Sequence, residues 1–272
     1  VSPRDEACLA DRTEARAYAD LYAAAPAALR DRLGLRVDQQ AGVTALLAPG
    51  LPTSLFNRVI GLGLDAPATA ADVERLRALY RGAGVGGWWL HWSPVALPAD
   101  GADWLAASGF VTPARRSWAK MLRETADAPA VVSTLQVVLA TAAQVADSAR
   151  CIAQAFGMPG FMADWLMALA DRPAWRLYAI SDGAQVVGGA CLFIDGPAAW
   201  LGMGAVLAGQ RQRGGQRAAM ARRIAEADAA GCRWVVTETG EPMGDESNPS
   251  LANMRHCGFR KVASRLNFVA SG

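Results

Sequence analysis

The chain repeats itself. Its middle reads DVERLRALYRGAG-VGGWWLHWSP, then WLAASGF, then RSWAKMLRE; its end reads AAMARRIAEADAAG-CRWVVTETG, then NMRHCGF, then SRLNFVAS. Each passage predicts an amphipathic helix closed by Ala-Gly, a β-rich strand, a short helix ending in Gly-Phe, and a final strand. The spacings agree, from Gly84 to Gly109 in one copy and from Gly231 to Gly258 in the other. Upstream, LFNRVIGLGL faces WLGMGAVL as a matching strand. Four parallels in the same order predict two copies of one α/β unit. The Pro/Ala-rich link ADAPAVV (126–132) marks the boundary, giving units 1–128 and 129–272.

The copies differ where a strand hands over to a helix. In the second, the apolar run Trp200–Leu207 meets a turn holding Arg211, Gln212, Arg213, Gly214, Gly215, Gln216 and Arg217, and a helix starts on Ala218 and Ala219. Glycines let backbone N–H groups turn toward an anion, and a helix N-terminus adds orphan donors and a positive dipole. Arginines on the same turn would add charge-assisted contacts. This predicts a site for a phosphate-bearing ligand. The first copy has GLDAPATAADVERL instead, with Asp65 and no arginine in the turn. Asp65 would repel a pyrophosphate and Pro67 has no N–H to offer, so no such site is expected there. The run Gly61-Leu-Gly63-Leu-Asp-Ala66 fits a loose dinucleotide pattern. Asp65 inside the loop, and no acidic residue near Gly84 for a ribose, argue against a nicotinamide or flavin site.

The turn Arg211-Gln-Arg-Gly214-Gly-Gln216 resembles the pyrophosphate motif of the GCN5-related N-acetyltransferase (GNAT) family, Arg/Gln-x-x-Gly-x-Gly/Ala, with Gln216 where a small residue is expected. The second half supports the resemblance in its element order. LQVVLAT (135–141) reads as a strand, QVADSARCIAQAFG (144–157) and FMADWLMALADRP (161–173) as helices, and WRLYAISDG with AQVVGGACLFIDG as a hairpin turning at Asp182-Gly183. The resemblance implies an α/β fold of two tandem GNAT-like domains, each a mixed, mostly antiparallel twisted sheet flanked by helices. It implies acetyl-CoA as cosubstrate, bound by the second half only. Pantetheine would follow the strand end at Ala205, Val206 and Leu207, pyrophosphate would sit on residues 211–217, and Asn248, Ser250 and Asn253 would lie beside the pantetheine. Gly202 and Gly204 suit either a bulged strand or close packing.

Acyl transfer to an amine needs a proton acceptor, an oxyanion donor and a route for the leaving thiolate. Glu238 in VVTETGE is the candidate base; the alternative is a solvated strand-end residue. In the family a Tyr often stands four residues before the Gly of Gly-Phe, but that position is Met254 here, which cannot act as an acid. Solvent, Ser250 or Cys257 would then substitute, or the thiolate would leave unassisted. His256 beside Cys257 builds neither a metal site nor a nucleophile pair. Two functions follow: an N-acyltransferase moving an acetyl or other short acyl group to a small-molecule or peptide amine, or a silent acyl-CoA-binding sensor or scaffold.

Composition narrows the class further. A net charge of +2, with Lys120 and Lys261 the only lysines, gives no electrostatic footprint for nucleic acid. No run approaches a membrane span, and the opening VSPRDEACLADRTEA lacks the charged-then-apolar layout of a signal peptide. Five scattered cysteines (Cys8, Cys151, Cys191, Cys232, Cys257) without Cys-x-x-Cys spacing suit free thiols in a cytoplasm, not disulfides or zinc. No metal, membrane or nucleic-acid partner is expected, and the chain is expected to be a monomer or homodimer.

Overall fold

The computed structural model describes every residue except Pro52, Arg115, Arg116 and Gly272, so the first residue of RSWAKMLRE lies outside the described residues. The first half runs α1 (Pro3–Ala24), α2 (Ala27–Leu33), β1 (Arg36–Gln40), β2 (Val43–Leu47), β3 (Arg58–Ile60), α3 (Ala70–Gly82), β4 (Gly87–Trp92), α4 (Gly101–Ala107), β5 (Phe110–Val111) and β6 (Ser117–Glu124). The second runs β7 (Gln136–Leu139), α5 (Ala142–Ala155), α6 (Met162–Met167), β8 (Trp175–Asp182), β9 (Gln185–Asp195), β10 (Ala198–Val206), α7 (Gly215–Ala229), β11 (Trp234–Gly240), α8 (Pro249–His256) and β12 (Arg260–Ser271). The repeat is therefore real at the level of elements: β3-α3-β4-α4-β5-β6 answers β10-α7-β11-α8-β12.

Local signals set the boundaries. Ser2 and Asp5 form a capping box on α1, with Pro3 opening the helix, and Thr141 and Gln144 do the same for α5. Gly183, at φ +57, turns the β8–β9 hairpin where Asp-Gly predicts it. The strand expected across LFNRVIGLGL is cut to Arg58–Ile60. Residues Ser54–Phe56 form a 3₁₀ turn, and Gly61 and Gly63 at φ +96 and +81 lead the chain out of the sheet.

The two sheets expected are fused into one. Among the described residues, twelve strands form a single sheet in the order β1-β2-β3-β4-β12-β6-β11-β10-β9-β8-β7, with β5 also paired to β12. Pairing is antiparallel except between β3 and β4 and between β10 and β11, the strands joined through α3 and α7. The halves exchange their last strands. From the first half, β6 pairs with the whole of β11, from Trp118 opposite Gly240 to Glu124 opposite Trp234. From the second half, the end of β12 pairs with β4, from Leu266 opposite Trp92 to Ser271 opposite Gly87. Each exchanged strand is also paired on its other side, β6 with the start of β12 and the end of β12 with β5. Backbone donors and acceptors of an inner strand must all be paired, so neither half completes its sheet without the other.

Strand alternation divides the core between the two faces. On β11, Trp234 and Val236 join a cluster with α1, α2, α5 and α6, while Val235 joins one with α7 and α8. Helices α3 and α4 cover the same side in the first half, over Val59, Leu90 and Trp92. Helix α1 lies across the seam where the exchanged strands meet, touching β6, β10, β11 and β12.

Candidate active site

Strands β10 and β11 are in register only at Ala198–Trp200 against Trp234–Val236. Beyond that point they part, while β10 keeps its partner β9 through a bulge between Gly202 and Ala205. Met203 takes a left-handed backbone there, φ +54. A Cβ at Gly202 would fall 1.8 Å from the Trp200 ring, so packing decides that glycine; one at Gly204 would meet the Arg223 guanidinium at 3.0 Å. Arg223, unremarked in the sequence, is buried behind the bulge and donates to the carbonyls of Cys191 (2.8 Å), Gly202 (3.1 Å) and Ala219 (2.9 Å). Burial pulls its pKa down to about 10, and the three carbonyls fix the opened strand. Its one sequence signal was an arginine on the helix face shared with Ala219, Met220 and Ala227.

From Val206 the chain turns through Gln212 (φ +64) and Gly214 (φ +80) into α7, which starts at Gly215. Gly214 caps the helix without a side chain, and the first turn carries no acidic residue. Its amide donors are thus left without a side-chain partner at the N-cap, in a field that favours an anion. The first half shows the opposite arrangement. There Thr69 and Asp72 form a capping box on α3 that occupies the helix end and puts a carboxylate on it. The first half also fills its own cleft: Leu97 donates to Gly63 (2.9 Å), Ala68 donates to Leu97 (2.8 Å), and Asp65 is paired with Arg12.

The arginines on the turn do not all face a ligand as expected. Arg213 is spent on structure, gripping both oxygens of Asp182 (2.6 and 3.0 Å), Thr134 (3.0 Å) and Gln210. It ties the turn to the β8–β9 hairpin, and its guanidinium holds the Asp182 carboxyl below the usual range. Arg211 remains exposed, with only Nε on the Val206 carbonyl (3.3 Å). Arg217 lies against His256 (3.1 Å), an exposed helix residue. Gln216, in place of the small residue, accepts from Asn253 (2.6 Å) and donates to Ser250 (3.4 Å), bridging α7 to α8. Asn248 caps α8 through Leu251 N–H (2.9 Å) and holds the end of β11 through Thr239 and Gly240. Its carboxamide is therefore largely committed to the protein.

One cavity of about 850 Å³ runs from this turn through the gap between β10 and β11. Ala205, Val206, Arg211, Gln212, Gly214, Gly215, Gln216, Arg217, Asn248, Ser250 and Asn253 line it, as do Glu238 and Met254. Leu207 and Arg213 do not: Leu207 donates back to Val187 (2.9 Å), and Arg213 is held as described. Cys257 is wholly buried away from the cavity and burial raises its thiol pKa, which removes it as a proton donor to a leaving thiolate.

Glu238 is not a solvated strand end. Its side chain is 5% exposed, accepts from Lys120 (3.0 Å), and takes the Trp200 indole N–H across both oxygens (3.1 and 3.0 Å). Burial raises its pKa and the nearby Glu14 charge raises it further, against the pull of Lys120 and Arg265. Lys120, fully buried, also contacts Glu14 (2.6 Å). Arg265 binds Asp11 (2.8 Å) and Glu14, and Arg58 lies 3.4 Å from Glu14 and over the Tyr18 ring. Asp11, Glu14 and Tyr18 stand on one face of α1, so this helix sets two buried carboxylates against the cations of β3, β6 and β12 behind the cavity. The sequence held a signal for it: Lys120 alternates in phase with Trp118 and Leu122 on β6, a phase that points inward.

Among the described residues no His/Cys/Asp/Glu group has metal-binding geometry, and no helix is long and apolar enough to cross a membrane. No protein-family model and no curated protein matches this sequence. Solved structures do resemble it. A GCN5-related N-acetyltransferase from Kribbella flavida matches over 95% of both chains, at 17% identity and TM-score 0.64. One from Sphaerobacter thermophilus matches over 99% of this chain and 93% of its own, at 15% and 0.60. A tandem GNAT protein from the clavulanic acid biosynthesis pathway matches over 85% and 78%, at 16% and 0.58. At such identities the likeness speaks for fold. The chain has the GNAT fold in tandem form: a mostly antiparallel open sheet flanked by helices.

Proposed function

We propose that this chain is an N-acyltransferase that takes an acetyl or other short acyl group from coenzyme A to an amine. The observation that carries the reading is the single cavity with the uncapped Gly214–Gly215 helix end at one side and Glu238 at the other. Bound acyl-CoA would supply an activated thioester carbonyl. The N–H groups at the start of α7 and the Arg211 guanidinium would hold the pyrophosphate, and the parted β10 edge around Ala205 and Val206 the pantetheine. Leu207 and Arg213 act as supports of that turn. Glu238 would accept the proton of the attacking amine, burial and the Glu14 charge having raised its pKa and so its basicity. Met254 leaves the thiolate to water or Ser250; a thiol's conjugate base near pKa 8.5 departs without strong assistance. The first half, with its cleft filled, is the copy without a coenzyme site. Five buried free cysteines support a reducing, cytoplasmic setting.

Met254 and the ties on Glu238 favour a second reading, a silent acyl-CoA-binding sensor. Release of free coenzyme A from acetyl-CoA, followed by a thiol reagent across a panel of amines, decides between them. Turnover with any amine supports the enzyme; tight acetyl-CoA binding with no amine-dependent release leaves the sensor.

A further inference from the structure

The far end of the cavity is built by both halves of the chain. Tyr18, Leu55, Phe56 and Trp118 come from the first half, and Phe156 and Trp200 from the second. The Tyr18 and Trp200 rings meet edge to face with centroids 5.3 Å apart. The titratable side chains lining the cavity are Tyr18, Glu238, Arg211, Arg217 and Arg223. Arg211 and Arg217 belong to the α7 turn, and Arg223 is occupied behind the bulge. The Tyr18 phenol, pushed up to about 12 by burial, is neutral. Among the described residues, Glu238 is thus the one carboxyl group facing this end.

Its free capacity is small. A carboxylate offers about four acceptor positions. Oε2 takes Trp200 and Lys120, and Oε1 takes Trp200 alone. One position on Oε1 is left for a donor in the cavity. Around it stand aromatic faces, which attract a single cation and pack flat apolar groups. A second ammonium, or a carboxylate on the acceptor, would be buried there with no partner. The charges behind Glu238 do not alter this, because Asp11, Glu14 and Glu238 are matched by Arg58, Lys120 and Arg265.

We infer that the acceptor is a small primary monoamine on an aromatic or apolar body, without a carboxylate, and that the first half is retained to build its binding wall. This rests on the acyl-transfer reading for the role of the cavity, but its test needs no turnover. Phenethylamine and spermidine are titrated against the full chain with saturating coenzyme A, read by isothermal titration calorimetry. Phenethylamine should bind at least about tenfold more tightly than spermidine. Phe56→Ala, which removes a wall, and Leu55→Trp, which fills the space, should each weaken phenethylamine by about tenfold or more. Both should leave coenzyme A affinity within about twofold. Equal or tighter spermidine binding, no binding of phenethylamine, or indifference of phenethylamine to both substitutions overturns the inference. Failure of acyl transfer itself shows separately, as no coenzyme A released while amine binding persists.

Discussion

Replacing Lys120 with Met tests whether the buried charges at the seam hold the two halves together. Lys120 has no exposed side-chain surface, and its ammonium lies 2.6 Å from Glu14 and 3.0 Å from Glu238. Met keeps the volume and removes the charge. Glu14 keeps Arg265 and Arg58, but Glu238 keeps only the Trp200 indole. Breaking a buried pair by removing one partner costs about 3–5 kcal/mol. A chain of 272 residues unfolding with about 2.1 cal/mol/K per residue has an unfolding entropy near 0.57 kcal/mol/K. The expected fall in Tm at pH 7.5 is therefore roughly 5–9 °C by scanning calorimetry. The sign with pH follows from Glu238. Its folded pKa already lies above the unfolded value, so the folded carboxyl loses stability as pH rises from the unfolded pKa through the folded one. Without Lys120 that pKa rises further. The deficit of the variant should then shrink as pH is lowered from 7.5 to 5, because a raised Glu238 pKa favours the protonated, uncharged form as pH falls. A loss below about 2 °C, or one that grows toward pH 5, would refute the reasoning.

Three further outcomes follow from the same geometry. Glu238→Gln should lower kcat by roughly 10²–10⁴ while acetyl-CoA affinity, measured by calorimetry, stays nearly unchanged; full activity would remove Glu238 as base. Met254→Leu should keep nearly full activity and stability, because the residue is buried and swaps one apolar side chain for another of similar volume. Residues 129–272 produced alone should not give a cooperatively folded protein, since β11 and the start of β12 lose β6 between them; a sharp thermal transition for that fragment would contradict the exchange.

The repeat and the Arg/Gly turn were legible because their signals are local. Helix period, Ala-Gly stops and Gly-Phe pairs fall within a few residues of the elements they shape, and Gly214 announces a turn by itself. Strand exchange left no such mark: β6 and β12 have the same alternation whichever sheet they enter, and only pairing with β11 and β4 distinguishes the cases. The pairing of Arg213 had no local signal for a related reason, as its partner Asp182 sits in a hairpin already explained by its turn. Asp11 and Glu14 carried no local signal of burial, and nothing near them in sequence foretold their pairing with Arg58, Lys120 and Arg265. The place of Glu238 at the strand end could be read from sequence, but its ties to Lys120 and Trp200 depended on the same distant packing.

Isothermal titration of the full chain with acetyl-CoA tests the central claim most directly, run beside Gly214→Asp. Gly214 sits at φ +80, and a Cβ there would lie 2.4 Å from the Val132 carbonyl oxygen, so aspartate brings strain, bulk and negative charge to the helix end. One site per chain, abolished by the substitution in a protein that remains folded, is the predicted result. Two sites per chain, or equal binding by the variant, would place the coenzyme elsewhere and contradict the account.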